Sequence, residues 1–200
     1  LRVINPSTEA LLTTVNGGDA GAVEQAVTAA AAAFQSWSQT SGAERGAILR
    51  KIAAGAQASR EQLMHLQSSN NGKPLFEAAI DVDDVIATFE YYAGLAEGLD
   101  AKQDSPVELP TDDFSARVRR EPCGVVGLIV PWNFPMVTTA WKLAPALAAG
   151  CCVVLKPSEV TPLPELELAA IIARSGLPQG VFNLVCGTGL AVGAPLSADP

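Results

Sequence analysis

Histidine occurs once and methionine twice, and no apolar stretch approaches the roughly 18–20 residues that a helix needs to cross a bilayer. The longest such run, Gly124 to Pro131, has the length of a strand. Basic residues are scarce too: 13 Lys and Arg stand against 21 Asp and Glu, a formal net charge of -8. That deficit speaks against nucleic acid and against an anionic membrane, because both select a surplus of positive charge. The one histidine, His65, has no Ser, Cys or ligand cluster beside it in sequence and reads as a surface or packing residue. Cysteine is confined to Cys123, Cys151, Cys152 and Cys186. Adjacent strand residues face opposite ways, so Cys151 and Cys152 suggest neither a metal clamp nor a disulfide framework, and a reducing, cytoplasmic setting is expected. The charged start and apolar core of a secretory signal are missing as well, and both ends read as truncations.

What is present is the material of a packed globular protein. The 200 residues are 48% hydrophobic and 17% charged, enough for one or two domains. An extended opening, Arg2 to Ser7, leads to a turn at Gly17-Gly18. Asp19 is placed to cap a helix whose apolar stripe is Val23, Ala26, Val27, Ala30 and Phe34. Ser41-Gly-Ala-Glu44 has capping-box spacing and starts a second helix through Ile48, Leu49, Ile52 and Ala56. Asn70 to Pro74 is a turn, and a long helix is expected from about Leu75 to Leu99. Two short strands, Val107 to Leu109 and Phe114 to Arg120, flank a turn and suggest a projecting hairpin. Beyond Pro122, apolar strands at Val125–Val130, Cys152–Leu155 and Val181–Val185 alternate with helices at about Met136–Ala148 and Leu163–Ser175. This alternation requires a parallel sheet covered on both faces. The predicted class is α/β: a Rossmann-like parallel βαβαβ sheet preceded by a helical region and a projecting β-hairpin.

Three segments fall where open α/β sheets place ligands, at the carboxyl ends of strands. Pro131-Trp-Asn-Phe-Pro135 follows the first strand, and its two prolines stiffen a loop around Asn133. The Asn133 carboxamide is either a donor to an oxygen that turns anionic during reaction or a brace for its own loop. Lys156 and Glu159 follow the second strand and are either a donor and acceptor for ribose hydroxyls or a solvated ion pair. Gly187, Gly189 and Gly193 follow the third; they permit a close approach to a nucleotide or simply make a turn. Asp81 and Asp84, three apart on one helical face, read first as a solvated acidic surface.

Taken together, Pro131-Trp-Asn-Phe-Pro135, Lys142-Leu-Ala-Pro-Ala-Leu-Ala-Ala-Gly150, Val154-Leu-Lys-Pro-Ser-Glu159 and Gly176-Leu-Pro-Gln-Gly-Val-Phe-Asn183 resemble consecutive signatures of the aldehyde dehydrogenase superfamily. The resemblance covers essentially the whole chain. Thr40 to Arg45, Asp81-Val-Asp-Asp84, Phe89-Glu-Tyr-Tyr92 and Pro122 to Leu128 resemble the betaine-aldehyde and ω-aminoaldehyde branch.

The resemblance implies a fold and a chemistry. Residues 1–104 become the helical part of a cofactor-binding domain, 105–122 strands of an oligomerisation element, and 123–200 the NAD-binding βαβαβ part, with the catalytic domain beyond. A cysteine thiolate attacks the aldehyde, the thiohemiacetal passes hydride to NAD, and a glutamate activates water to release the acid. Both of those residues lie outside this chain, so none of its four cysteines is the nucleophile. Asn133 takes the oxyanion role, and Ile129, Val130, Pro131 and Trp132 line the cofactor. Lys156 and Glu159 hold the ribose, while Gly189 and Gly193 approach the adenine. Asp81, Asp84, Phe134 and Trp141 face an aldehyde substrate, and the assembly is a homodimer or homotetramer.

Close relatives in the resemblance carry Asp where this chain has Asn70, and use it with the backbone carbonyl matching Ile4 to bind a monovalent cation, potassium or sodium. Asn70 has no charge for that task. Ile80 stands where some relatives have the Trp that favours a quaternary ammonium. Two other readings remain open at this point. One is a dehydrogenase-like cofactor binder or scaffold without catalysis; the other is a different α/β nucleotide-binding enzyme.

Overall fold

Helices begin where the sequence supplies caps. Asp19 accepts from the Ala22 N–H at the head of α1 (Ala20–Trp37). Ser41 and Glu44 satisfy each other's backbone donors at the head of α2 (Gly42–Ala58). The computed structural model describes residues 1–199. Before α1, β1 (Arg2–Ile4) pairs antiparallel with β2 (Leu11–Thr14), so the extended opening is one arm of a hairpin.

After α2 the chain breaks at Ser59 and enters α3 (Arg60–Asn71), which ends on Gly72 with φ +85. Apolar periodicity gives no hint of α3, because its buried stripe is Leu63, Gln67 and Asn70. The spacing is helical, but two of the three residues are polar. Next come α4 (Leu75–Glu97) and a hairpin of β3 (Ser105–Val107) with β4 (Ala116–Val118), in which Ser105 faces Val118. The first hairpin strand lies two residues earlier than its sequence suggests, and the second is shorter.

The remaining elements are β5 (Val125–Ile129), α5 (Pro135–Ala149), β6 (Cys152–Lys156), α6 (Leu163–Arg174), β7 (Phe182–Leu184) and α7 (Ala194–Ala198). The strands form a parallel sheet in the order β5-β6-β7. Central β6 is buried along its whole length, which explains its apolar run from Cys152 to Leu155. Helix α1 lies against all three strands and α5 against β5 and β6. The first long helix is thus a cover of the sheet rather than part of a separate lobe. One hydrophobic core runs from Val23 and Trp37 of α1 through Leu49, Phe89 and Leu143 to Leu155 and Ile172.

The tightest helix pair is α2 on α4, and small residues permit it. A Cβ on Gly42 would collide with the Ala96 carbonyl oxygen, and one on Gly46 would lie 2.9 Å from the Ala93 oxygen. Gly42→Ala must therefore push α2 off α4, and we expect a loss of about 1–3 kcal/mol of stability from overpacking. Urea unfolding of the parent and the variant measures it. An unchanged midpoint would show that the pair yields freely.

Candidate active site

The carboxyl ends of β5 and β6 lie side by side. Ile129 faces Lys156 in the ladder, and the Val130 N–H donates to the Lys156 carbonyl at 3.2 Å. Lys142 of α5 caps the edge by donating to the Ile129 carbonyl at 2.7 Å. Of the four residues expected to line a cofactor, Val130 is buried, while Ile129, Pro131 and Trp132 are exposed along this rim.

The loop that follows is held from outside. Asn71, at the end of α3, donates from its side chain to the Trp132 carbonyl at 2.6 Å and reaches the Asn133 carbonyl at 3.5 Å. The Thr161 hydroxyl donates to the same Trp132 carbonyl at 3.3 Å. Among the described residues, the Asn133 carboxamide forms no hydrogen bond, and the side chain is exposed. Asn71 therefore braces this loop, and the brace reading of Asn133 finds no support. Neither Asn71 nor Thr161 was singled out in the sequence, where the asparagine pair signals only a turn.

The second strand end forms one cluster. Lys156 is only 3% exposed; its ammonium donates to the Pro157 carbonyl at 2.7 Å and to Glu159 at 3.2 Å. Glu159 is partly open. Its own backbone N–H, the Lys156 ammonium and the Gly189 N–H hold its carboxyl below the usual range, against the opposing effect of partial burial. A solvated surface pair would not bury its lysine. Gly193 lies over the lysine stem, where a Cβ would sit 3.5 Å from Cδ, whereas a Cβ on Gly189 would meet nothing within 4 Å. Gly187 has the strictest steric reason to be glycine, since a Cβ there would collide with Val192. The segment Gly189–Gly193 is a π-helical turn whose Thr188 hydroxyl accepts from the Ala191 N–H. Lys156, Glu159, Gly189 and Gly193 thus meet at the ends of two adjacent strands. Beneath them Glu165 is fully buried, with no hydrogen-bond partner for either oxygen among the described residues, and burial pushes its carboxyl well above the usual range.

The acidic helix face divides. Asp81 is 6% exposed; it pairs with Lys73 and accepts from Gln67. Lys73 also lies 4.1 Å from the centre of the Phe134 ring. The expectation that both acids meet a substrate is corrected here, because Asp81 is already consumed inside the protein. Asp84 differs. It accepts from Thr88 at 3.3 Å and from the Trp141 indole at 3.5 Å, and it borders a cavity of about 340 Å³ with Tyr91, Tyr92 and Trp141. Ile80 is exposed.

The aldehyde dehydrogenase family model matches residues 1–200. The chain belongs to the aldehyde dehydrogenase family. An aminoaldehyde dehydrogenase of Zea mays is 51% identical over 99% of the chain, and a betaine aldehyde dehydrogenase of Oryza sativa subsp. japonica is 50% identical over all of it. The chain spans 40% and 41% of the length of those relatives. A betaine aldehyde dehydrogenase from Staphylococcus aureus, solved in complex with NAD+, superposes with a TM-score of 0.93 at 39% identity. That match covers 98% of this chain and 39% of the other. Other relatives are named for their compartments, chloroplastic in Beta vulgaris and peroxisomal in Pisum sativum, so the family does not restrict its members to the cytoplasm.

The monovalent cation site implied for Ile4 and Asn70 does not fit the residues present. The Asn70 side chain donates to the Val160 carbonyl at 3.1 Å and accepts from the Leu163 N–H at 3.1 Å, so both of its ends are used. Among the described residues no group of three or more His, Cys, Asp or Glu side chains could hold a metal ion. An amide cross-link between α3 and the start of α6 occupies the place where a charged oxygen would be needed. We expect Asn70→Asp to cost about 1–3 kcal/mol, because it turns a donor facing the Val160 carbonyl into a second acceptor. Thermal unfolding in potassium, sodium and choline chloride at equal ionic strength checks both points. The parent should show one midpoint in all three salts; a rise specific to potassium would restore the cation.

Proposed function

We propose that the protein containing these residues oxidises an aldehyde to its carboxylic acid with NAD, and that this chain supplies the oxyanion donor and much of the cofactor cradle. The observation that carries the reading is the free Asn133 carboxamide, exposed at a strand's carboxyl end on a loop whose backbone other residues have fastened. A donor on a fastened loop needs little backbone reorganisation when an aldehyde oxygen becomes negative under attack by a thiolate from elsewhere in the protein. NAD, when bound, accepts the hydride. The Lys156 ammonium offers a hydrogen to one ribose hydroxyl and the Glu159 carboxylate accepts from another, with open space above Gly189 for the nucleotide to approach. Glu159 is also the reason to favour NAD over NADP, since a 2′-phosphate would meet its negative charge at short range.

A cationic substrate tail suits the cavity beside Asp84. Asp84 supplies a carboxylate there, and Trp141 and Tyr91 supply aromatic faces. Ammonium groups are attracted to both. Aminoaldehydes are the leading class, with betaine aldehyde behind them because exposed Ile80 adds apolar surface without a ring. The exposed hairpin, with Val107, Phe114 and Val118 turned outward, joins subunits into a homodimer or homotetramer. The free thiols favour a reducing compartment such as the cytoplasm.

The decisive experiment uses the complete enzyme. Asn133→Ala should lower kcat by about 10²–10³ with little change in NAD affinity; retention of more than half the activity would return Asn133 to a structural role. Asp84→Asn should narrow the kcat/KM advantage of a protonated aminoaldehyde over a neutral aldehyde of equal length. Added salt should narrow it in the parent. If the ratio is the same in both proteins, Asp84 is no part of substrate selection.

A further inference from the structure

The pairing of β5 with β6 also acts at the opposite, amino-terminal edge of the sheet. Val125 faces Cys152, and the Cys152 N–H donates to the Gly124 carbonyl at 3.1 Å. The residues just before each strand are therefore neighbours. Cys123 leads into β5, while Cys151 follows Gly150, whose φ of +91 ends α5. The Cys151 N–H donates back to the Ala146 carbonyl at 2.9 Å, which fixes the position of this residue. The two sulfurs lie 3.6 Å apart, although 28 residues separate them in sequence. A disulfide needs the sulfurs roughly 2.05 Å apart, so closure requires an approach of only about 1.5 Å. Access is unequal: Cys123 is exposed and Cys151 is 4% exposed. Cys152 and Cys186 are buried as well.

We propose that Cys123 and Cys151 form a dithiol site that closes to a disulfide by exchange with a low-molecular-weight disulfide of the glutathione class. The order of events follows from access. The Cys123 thiolate attacks one sulfur of oxidised glutathione, the glutathione S–S bond breaks, and a glutathione thiolate leaves and takes up a proton. Cys151, which solvent does not reach, then gives up its proton and attacks the Cys123 sulfur of the mixed disulfide, releasing the second glutathione. Two protein thiols thus lose two electrons and two protons, and one glutathione disulfide becomes two thiols. Burial pushes the Cys151 thiol up, and the N–H groups of Cys123 and Gly124 oppose that shift. The bond would tie two strand starts at the edge of the sheet opposite Asn133 and Lys156. The inference is independent of the proposed reaction.

The test treats the complete folded enzyme with oxidised glutathione, blocks free thiols and digests with trypsin without reduction. The expected product joins peptide 121–142 to peptide 143–174, is lighter than their sum by two hydrogens, and separates on treatment with dithiothreitol. The second peptide contains both Cys151 and Cys152, so substitutions identify the partner. Cys151→Ser should abolish the cross-link and accumulate glutathione on Cys123. Cys123→Ser should abolish the cross-link and leave Cys151 unmodified, while Cys152→Ser should keep it. Circular dichroism and the thermal midpoint establish that each variant is folded. A parent that yields no cross-link, or a cross-link that persists in Cys151→Ser, overturns the proposal.

Discussion

The register of β5 on β6 is the constraint on which the rest of the site depends. Five register pairs, Val125 on Cys152 through Ile129 on Lys156, flanked by the Cys152 N–H on Gly124 and the Val130 N–H on Lys156, leave the two strands no freedom to slide. A slip of one residue would turn every buried side chain of β6 toward the opposite layer. With the register held, the loop after β5 and the Lys156–Glu159 corner emerge next to one another. At the other edge, the same register sets Cys123 beside Cys151. Both ends of one ladder therefore carry chemistry, although neither pairing is local in sequence.

Polar side chains hold the loops that the ladder delivers. Asn70 and Asn71 stand next to each other at the end of α3 but work in different directions. Asn70 ties the approach to α6, whereas Asn71 ties the Trp132–Asn133 loop. Arg45 plays a comparable part from α2, donating to the Ala148 carbonyl at 2.9 Å and to the Thr40 carbonyl. Burial lowers the Arg45 pKa from its usual value. These groups leave water and gain fixed partners, so their worth lies in placing loops rather than in raw stability.

The two buried ammonium groups show how context divides similar residues. Lys73 finds its carboxylate inside the protein and has Phe134 beneath it, so that Asp81 and Lys73 neutralise one another away from solvent. Lys156 is as deeply placed but pairs with a carboxylate that remains 38% exposed, at a rim where a ligand can compete for both. A charge pair closed on itself supports packing, and one left open at a strand end supports recognition. Sequence spacing alone does not distinguish the two.

The α/β class, the parallel strands, the caps at Asp19 and Ser41 and the position of Lys156, Glu159, Gly189 and Gly193 near strand ends were legible because each rests on short-range patterning: apolar runs and cap spacing. The family was legible for the same reason, since its signatures are contiguous. Helix α3 escaped because Gln67 and Asn70 carry its buried stripe. The burial of Asp81, the bracing of the Asn133 loop by Asn71, the double use of Asn70 and the approach of Cys123 to Cys151 were decided by tertiary structure alone. Each joins elements distant in the chain, and which partner a polar side chain finds depends on how helices and strands stack against one another. Local sequence determined where the elements start and which way their apolar faces turn; packing determined which donors, acceptors and thiols were left free to act.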